Sequence, residues 1–149
     1  MKEIGRVRLP HEIPHDVCTS PEDEVFFITI CCLPRGQNQL ARATVWQVID
    51  ETLRTRAANG DIRIGMILAM PDHLHGLFTF TGKKPMPRVI SSFKEWVAKK
   101  SGVVWQRDFF DHRLRNGESA AEKAAYIRLN PVRAGLVEDP ADWPFQYPR

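Results

Sequence analysis

His73 and His75 flank one leucine inside Met70-Pro71-Asp72-His73-Leu74-His75-Gly76-Leu77, an apolar run of strand character. Side chains of a β-strand alternate between faces, so both imidazoles leave one face while Leu74 enters the layer behind them. Two imidazoles side by side can serve one metal ion; the plainer reading is a pair of half-exposed histidines on a solvated strand. Further along, Tyr126 and Asn130 lie four residues apart in a segment of helical pattern and therefore share a helix face. Two imidazoles plus one amide oxygen leave coordination positions open, which suits Mg²⁺ or Mn²⁺ holding a substrate phosphate better than a closed zinc site. A phenol, with a pKa near ~10, is easier to activate and easier to expel than a sugar hydroxyl, so attack by Tyr126 on phosphorus is reversible without ATP. The plainer reading of Tyr126 packs its ring and leaves the hydroxyl at the surface. The chain's other tyrosine, Tyr147, falls near the end of the sequence, where mobility argues against a pre-organised nucleophile.

Composition fits a protein able to hold such a site rigidly. With 149 residues, 43% of them hydrophobic and 26% charged, the chain is expected to form one domain around one core. No apolar run reaches the ~20 residues needed to cross a bilayer, and the amino-terminal residues lack a signal-like apolar stretch. The three cysteines include the adjacent Cys31 and Cys32 in an apolar strand, where free thiols act as small hydrophobes. A reducing cytoplasm, in association with the nucleoid, is the expected compartment. A formal charge of +3 is compatible with a phosphate-bearing partner and requires none.

The elements that must position these residues follow from periodicity. Residues 1–24 hold Pro10, Pro14 and Pro21 and read as an arm; 25–137 form the core and 138–149 a proline- and tryptophan-rich tail packed over it. Val25 to Leu33 reads as a strand with both parities largely apolar. A helix is expected from Ala41 to Ala58, stopped at Asn59-Gly60. Ile62–Met70 and His73–Phe80 read as a hairpin turning at Pro71-Asp72, its second strand carrying both histidines. A second helix spans about 87–101, with Val89, Phe93, Trp96 and Val97 on one face and Arg88, Lys94, Lys99 and Lys100 on the other. A strand is expected around Phe109 to Leu114. Ser119 and Glu122 have capping-box spacing for a third helix, with Ala120, Ala124 and Ile127 as its narrow apolar stripe and Pro131 breaking it near Asn130. The order suits an α+β domain: an antiparallel sheet covered by helices, related to the ferredoxin-like arrangement.

Arg107, Arg113 and Arg115, with Phe109 and Phe110, form a further constellation able to clamp and stack nucleotides, although both phenylalanines serve equally well as core. Lys94 and Lys99 are the matching candidates on the second helix, against plain solvation.

Taken together, MPDHLHGLF, WQRDFFDHRLR and Tyr126-Ile127-Arg128-Leu129-Asn130-Pro131-Val132-Arg133-Ala134-Gly135-Leu136-Val137 resemble the signatures of the REP-associated tyrosine transposases, single-tyrosine members of the HUH superfamily. The likeness runs in order from about Val25 to Trp143. It implies the HUH transposase fold, a ferredoxin- or RRM-like sheet, with His73, His75 and Asn130 holding the divalent metal. It implies that Tyr126 forms a 5′-phosphotyrosine with single-stranded DNA and frees a 3′-hydroxyl. The implied substrate is a hairpin of a repetitive extragenic palindrome with a single-stranded guide beside it, handled by a monomer or a homodimer. Asp111 and His112 resemble family features without an assignable role, His112 being either a proton donor or a support for its strand.

Two other readings compete. A non-catalytic nucleic-acid-binding module would use the sheet and its aromatics as a stacking platform and would be indifferent to chelators. A metal hydrolase would combine His73 and His75 with Asp111 or His112 and an activated water, leaving no covalent intermediate.

Overall fold

A computed structural model describes residues 24–115 and 118–149. The expected arm, apart from Glu24, lies outside these residues, as does Cys18. The elements run β1 (Phe26–Cys31), α1 (Ala43–Ala58), β2 (Ile62–Met70), β3 (His73–Phe80), α2 (Met86–Ser101), β4 (Phe110–Arg113), α3 (Ala120–Arg128), α4 (Asn130–Arg133) and β5 (Gln146–Tyr147). The strands form one antiparallel sheet in the order β4-β1-β3-β2-β5. This is the α+β architecture expected from the sequence.

Local chemistry accounts for the boundaries. Gly102 takes φ 77° just past α2, a left-handed conformation that side chains resist, and so ends the helix. Ser119 accepts a hydrogen bond from the Glu122 amide and starts α3, a cap of about 1 kcal/mol. Pro131 leaves a break at Leu129, after which one further turn, α4, continues to Arg133. Cys31 and Cys32 are buried free thiols, and burial above all pushes the Cys32 thiol up to about 12.

The two faces of the sheet bury different clusters. Ile28, Ile30, Leu74 and Phe78 pack with Val45, Ile49 and Leu53 of α1 and Val89, Phe93 and Val97 of α2. Met66, Leu68, Met70 and Leu77 line the opposite face and pack with Ile127 of α3 and Trp143. Gly65 is an extra residue between the pairs Ile64–Phe78 and Met66–Leu77, so β2 changes side-chain phase there. A side chain on Gly65 would press on the Leu77 carbonyl at 3.1 Å.

Three expectations need correction. The tail contributes a strand as well as a cover: β5 pairs with β2, and Trp143 donates to the Ala69 carbonyl at 2.9 Å. Tyr147 is therefore held in the sheet, with the Arg54 guanidinium 4.5 Å from its ring, and mobility is no argument against it. The apolar stripe on α3 is narrower than expected, because Ala120 is exposed and only Ile127 is fully buried. Among the described residues no helix is long and apolar enough to cross a membrane.

Candidate active site

Strand register fixes the histidines on the second face. His75 is opposite Thr29 of β1 and Leu68 of β2, while His73 is opposite Cys31 and Met70. Directly opposed residues share a face, so both imidazoles join Leu77 and Met66, away from α1 and α2. Their rings meet edge to face with centroids 4.7 Å apart, and the Phe27 ring closes the other approach to His75 at 5.3 Å.

Each imidazole is held through Nδ1. His73 Nδ1 lies 2.8 Å from an Asp72 carboxylate oxygen, which, as an acceptor only, takes the Nδ1 proton. His75 Nδ1 lies 3.0 Å from the Thr29 hydroxyl. Nε2 of His73 therefore keeps its lone pair, and Nε2 of His75 keeps its own in the tautomer whose Nδ1–H donates to the Thr29 hydroxyl. Burial foremost disfavours the imidazolium form of His73, against the opposing pull of Asp72. His75, only 7% exposed, is driven further in the same direction by burial, by His73 and by the charge of Arg133. Both rings are thus kept neutral, the state required of a ligand.

Asp72, which the sequence marks only as a turn residue, anchors this edge of the site. Its carboxylate accepts from Arg35 Nε at 3.0 Å, Arg35 Nη2 at 3.4 Å and the Gly36 amide at 2.7 Å, besides His73. Burial opposes its charge, but these donors outweigh burial and hold the carboxyl well below the usual carboxylate range. The signal available in the sequence is an aspartate directly before His-Leu-His. Its loop partners, Arg35 and Gly36, are far away along the chain.

α3 packs on β2 and β3 from the histidine side, placing Tyr126 and Asn130 over the same face. Tyr126 is 58% exposed. Arg133 binds both residues: one guanidinium nitrogen donates to the Tyr126 carbonyl at 2.8 Å and to Asn130 Oδ1 at 2.9 Å, and its carbon stands 4.2 Å from the Tyr126 ring centroid. Lys123 lies 5.7 Å from that ring and 5.3 Å from the Phe27 ring. Tyr147 packs against the cluster under α1 and α2, on the other side of the sheet.

The remaining candidates divide by face and by partner. His112 is opposite Phe27 and so lies on the histidine face, where its Nε2 meets the Glu118 carboxylate at 3.3 Å and ties β4 to the start of α3. Asp111, opposite Ile28, belongs to the other face, which corrects any reading that groups it with His73 and His75 around one ion. Lys94, expected either as plain solvation or as a DNA contact, is half-buried rather than solvated and donates to the carbonyls of Gln106 and Arg107 at 2.8 and 2.9 Å. Desolvation lowers its pKa. Lys99 shares α2 with it, across the sheet from the histidines. Arg113 pairs with Glu24 at 2.6 Å, and Arg107 and Arg115 are exposed.

No protein-family profile matches the chain. A REP-associated tyrosine transposase of Escherichia coli K12 is 25% identical over 114 residues, covering 74% of this chain and 69% of that protein. A Haemophilus influenzae protein provisionally named for the same group is 28% identical over 96 residues, covering 53% of this chain and 54% of its own length. A solved structure of a REP-associated tyrosine transposase bound to a REP hairpin superposes with a TM-score of 0.73 at 23% identity, covering 90% of this chain and 82% of the other. In sequence and in fold, the chain resembles the REP-associated tyrosine transposases.

Proposed function

We propose that the chain is a metal-dependent endonuclease and strand transferase acting on single-stranded DNA beside REP-type hairpins through a 5′-phosphotyrosine. The observation that carries this reading is the convergence, on one face of the sheet, of two neutral histidines fixed through Nδ1 with a helix bearing an exposed tyrosine and an asparagine. The donor set fits a hard divalent ion: two Nε2 lone pairs and the second lone pair of Asn130 Oδ1, the first being taken by Arg133. His73, His75 and Asn130 would hold Mg²⁺ or Mn²⁺, which when bound polarises a phosphate oxygen.

The protein's own groups account for the remaining steps. Asp72 and Thr29 orient the imidazoles, and the last turn of α3 presents the phenol. Tyr126 Oη loses its proton to solvent and bonds to phosphorus as the bond from phosphorus to the 3′ oxygen breaks. That oxygen takes a proton and leaves as a hydroxyl. Attack by a DNA 3′-hydroxyl on the phosphotyrosine reverses these changes and returns the phenol. The likeness to a transposase solved with a REP hairpin supports the substrate class.

The test is a denaturing gel of the full chain with a labelled hairpin oligonucleotide and Mn²⁺. A covalent adduct is expected from the parent and none from Tyr126→Phe, His73→Ala or a chelated sample. An adduct from Tyr126→Phe equal to the parent's refutes the nucleophile assignment. Chelator-resistant DNA binding without an adduct favours a stacking module, and cleavage without an adduct favours a hydrolase.

A further inference from the structure

Arg133 is a cation without an acid to balance it. Among the described residues no carboxylate pairs with it, whereas Arg35, Arg54 and Arg113 each have one. Both of its hydrogen bonds use Nη2, directed to the Tyr126 carbonyl and Asn130 Oδ1. Nη1 and Nε, on either side of the engaged nitrogen, receive no hydrogen-bond partner from the described residues. The group is exposed, lies against the Tyr126 ring and is close enough for its charge to act on His75. One unbalanced guanidinium charge beside the histidines disfavours a metal there, and an arriving anion balances it. Hydrogen bonds from guanidinium N–H groups to phosphate oxygens are charge-assisted and therefore among the strong, directional ones.

We propose that Arg133 is an anion-binding residue that receives the DNA phosphodiester at Tyr126, bracing the Tyr126 carbonyl and Asn130 with one nitrogen while its unengaged Nη1 and Nε donors take the phosphate oxygens. The class of anion follows from chemistry already argued for Tyr126, so this step rests on the proposed function. Its geometric basis, an unbalanced guanidinium with two unengaged nitrogens against the tyrosine ring, is independent of it. Lys123 is a weaker candidate, because Glu118 lies within its electrostatic reach.

The experiment uses the full chain labelled with ¹⁵N-arginine. Inorganic phosphate, and separately a short single-stranded oligonucleotide, are titrated while the guanidinium Nε–H signals are followed, with Arg133→Lys identifying the relevant one. That signal is expected to move saturably with both probes, at lower concentration with DNA, in the parent and in Tyr126→Phe. In the adduct assay Arg133→Gln is expected to slow adduct formation about 100-fold, the scale of losing one pre-organised donor to a developing charge, and Arg133→Lys to recover part of that loss. An Arg133 signal indifferent to both probes overturns the proposal. So does adduct formation by Arg133→Gln at the parent rate, which leaves the proposed function standing. Saturable movement of the signal with no adduct from the parent upholds the anion site and refutes the cleavage chemistry.

Discussion

Replacing Asp72 by asparagine tests the histidine geometry with a nearly isosteric change. The Gly36 amide and Arg35 Nε are obligatory donors on one carboxylate oxygen, at 2.7 and 3.0 Å. The asparagine carbonyl must therefore face them, and its amino group must face His73 Nδ1. Two donors cannot share that 2.8 Å contact, so the imidazole proton moves to Nε2 and removes the lone pair offered to a metal. Loss of an orienting carboxylate costs about 10–100-fold in metal affinity, or ~1.4–2.7 kcal/mol. The fold loses less. Arg35 is half exposed, so its ion pair contributes at most about 1 kcal/mol, and the Gly36 amide exchanges a charged acceptor for a neutral one at about 1 kcal/mol. Together these lower the melting midpoint by ~3–6 °C for a chain of this size. Mn²⁺ titration by calorimetry reads the affinity, and long-range ¹H–¹⁵N correlation of His73 reads the tautomer. An Asp72→Asn protein with unchanged Mn²⁺ affinity, or with Nε2 still unprotonated, refutes the reasoning.

Other consequences follow from the same packing. In Gly76→Ala the new methyl would sit 2.3 Å from the buried Phe78 ring, and a loss of about 1–3 kcal/mol in urea unfolding is expected; an unchanged midpoint would show that Phe78 yields freely. His73 and His75 have folded pKa values below the unfolded value near ~6.5, so their contribution is complete above that pH and lost as pH falls through it, by up to about 1.4 kcal/mol per unit for each group. Equal urea midpoints at neutral and mildly acidic pH would contradict the histidine assignment; Asp72, also depressed, adds a further loss below about pH 4, and no added loss there would contradict its own. Gln146, 4% exposed, accepts from Arg128 of α3 and donates to the Pro140 and Trp143 carbonyls; Gln146→Ala is expected to cost about 2–3 kcal/mol and to raise hydrogen exchange along α3. Tyr126→Phe, by contrast, changes an exposed position and should leave stability within about 0.5 kcal/mol, measurable on the protein used for the adduct assay.

What the sequence discloses of this site is local, and what it withholds is distant. His73 and His75 share a face because alternation needs only adjacent residues, and the Pro71-Asp72 turn puts them at the start of a strand. Tyr126 and Asn130 are linked by helical spacing in the same way. Thr29 and His75, by contrast, are 46 residues apart, and Arg35 and Asp72 are 37 apart. Nothing in either segment announces its partner until strand order is known. Lys94 illustrates the converse: helical periodicity assigned it to a polar face, while the carbonyls that receive it belong to a loop without periodicity. β5 escaped because a two-residue strand among the three residues between Pro144 and Pro148 carries too short a pattern, and its strand character comes from pairing with β2. The face of Asp111 depends on register with β1, which a four-residue strand cannot set alone.

The bulge at Gly65 separates the bookkeeping of the two ends of β2. Counted in twos through the strand, Ile62, Ile64, Met66, Leu68 and Met70 would all fall on one side; the extra residue sends the first two under the helices and the last three to the histidine side. The histidines are therefore indexed from the Pro71-Asp72 turn, with Met70 facing His73. Length variation in the α1–β2 connection stops at the bulge before it reaches them. A deletion of Gly65 would regularise the ladder without moving any flanking residue to the other face, whereas a deletion between Met66 and Met70 would turn the floor beneath Ile127 inside out. In this strand the tolerance to insertions and deletions is divided at a single glycine, and the half that pairs with the histidines is the intolerant one.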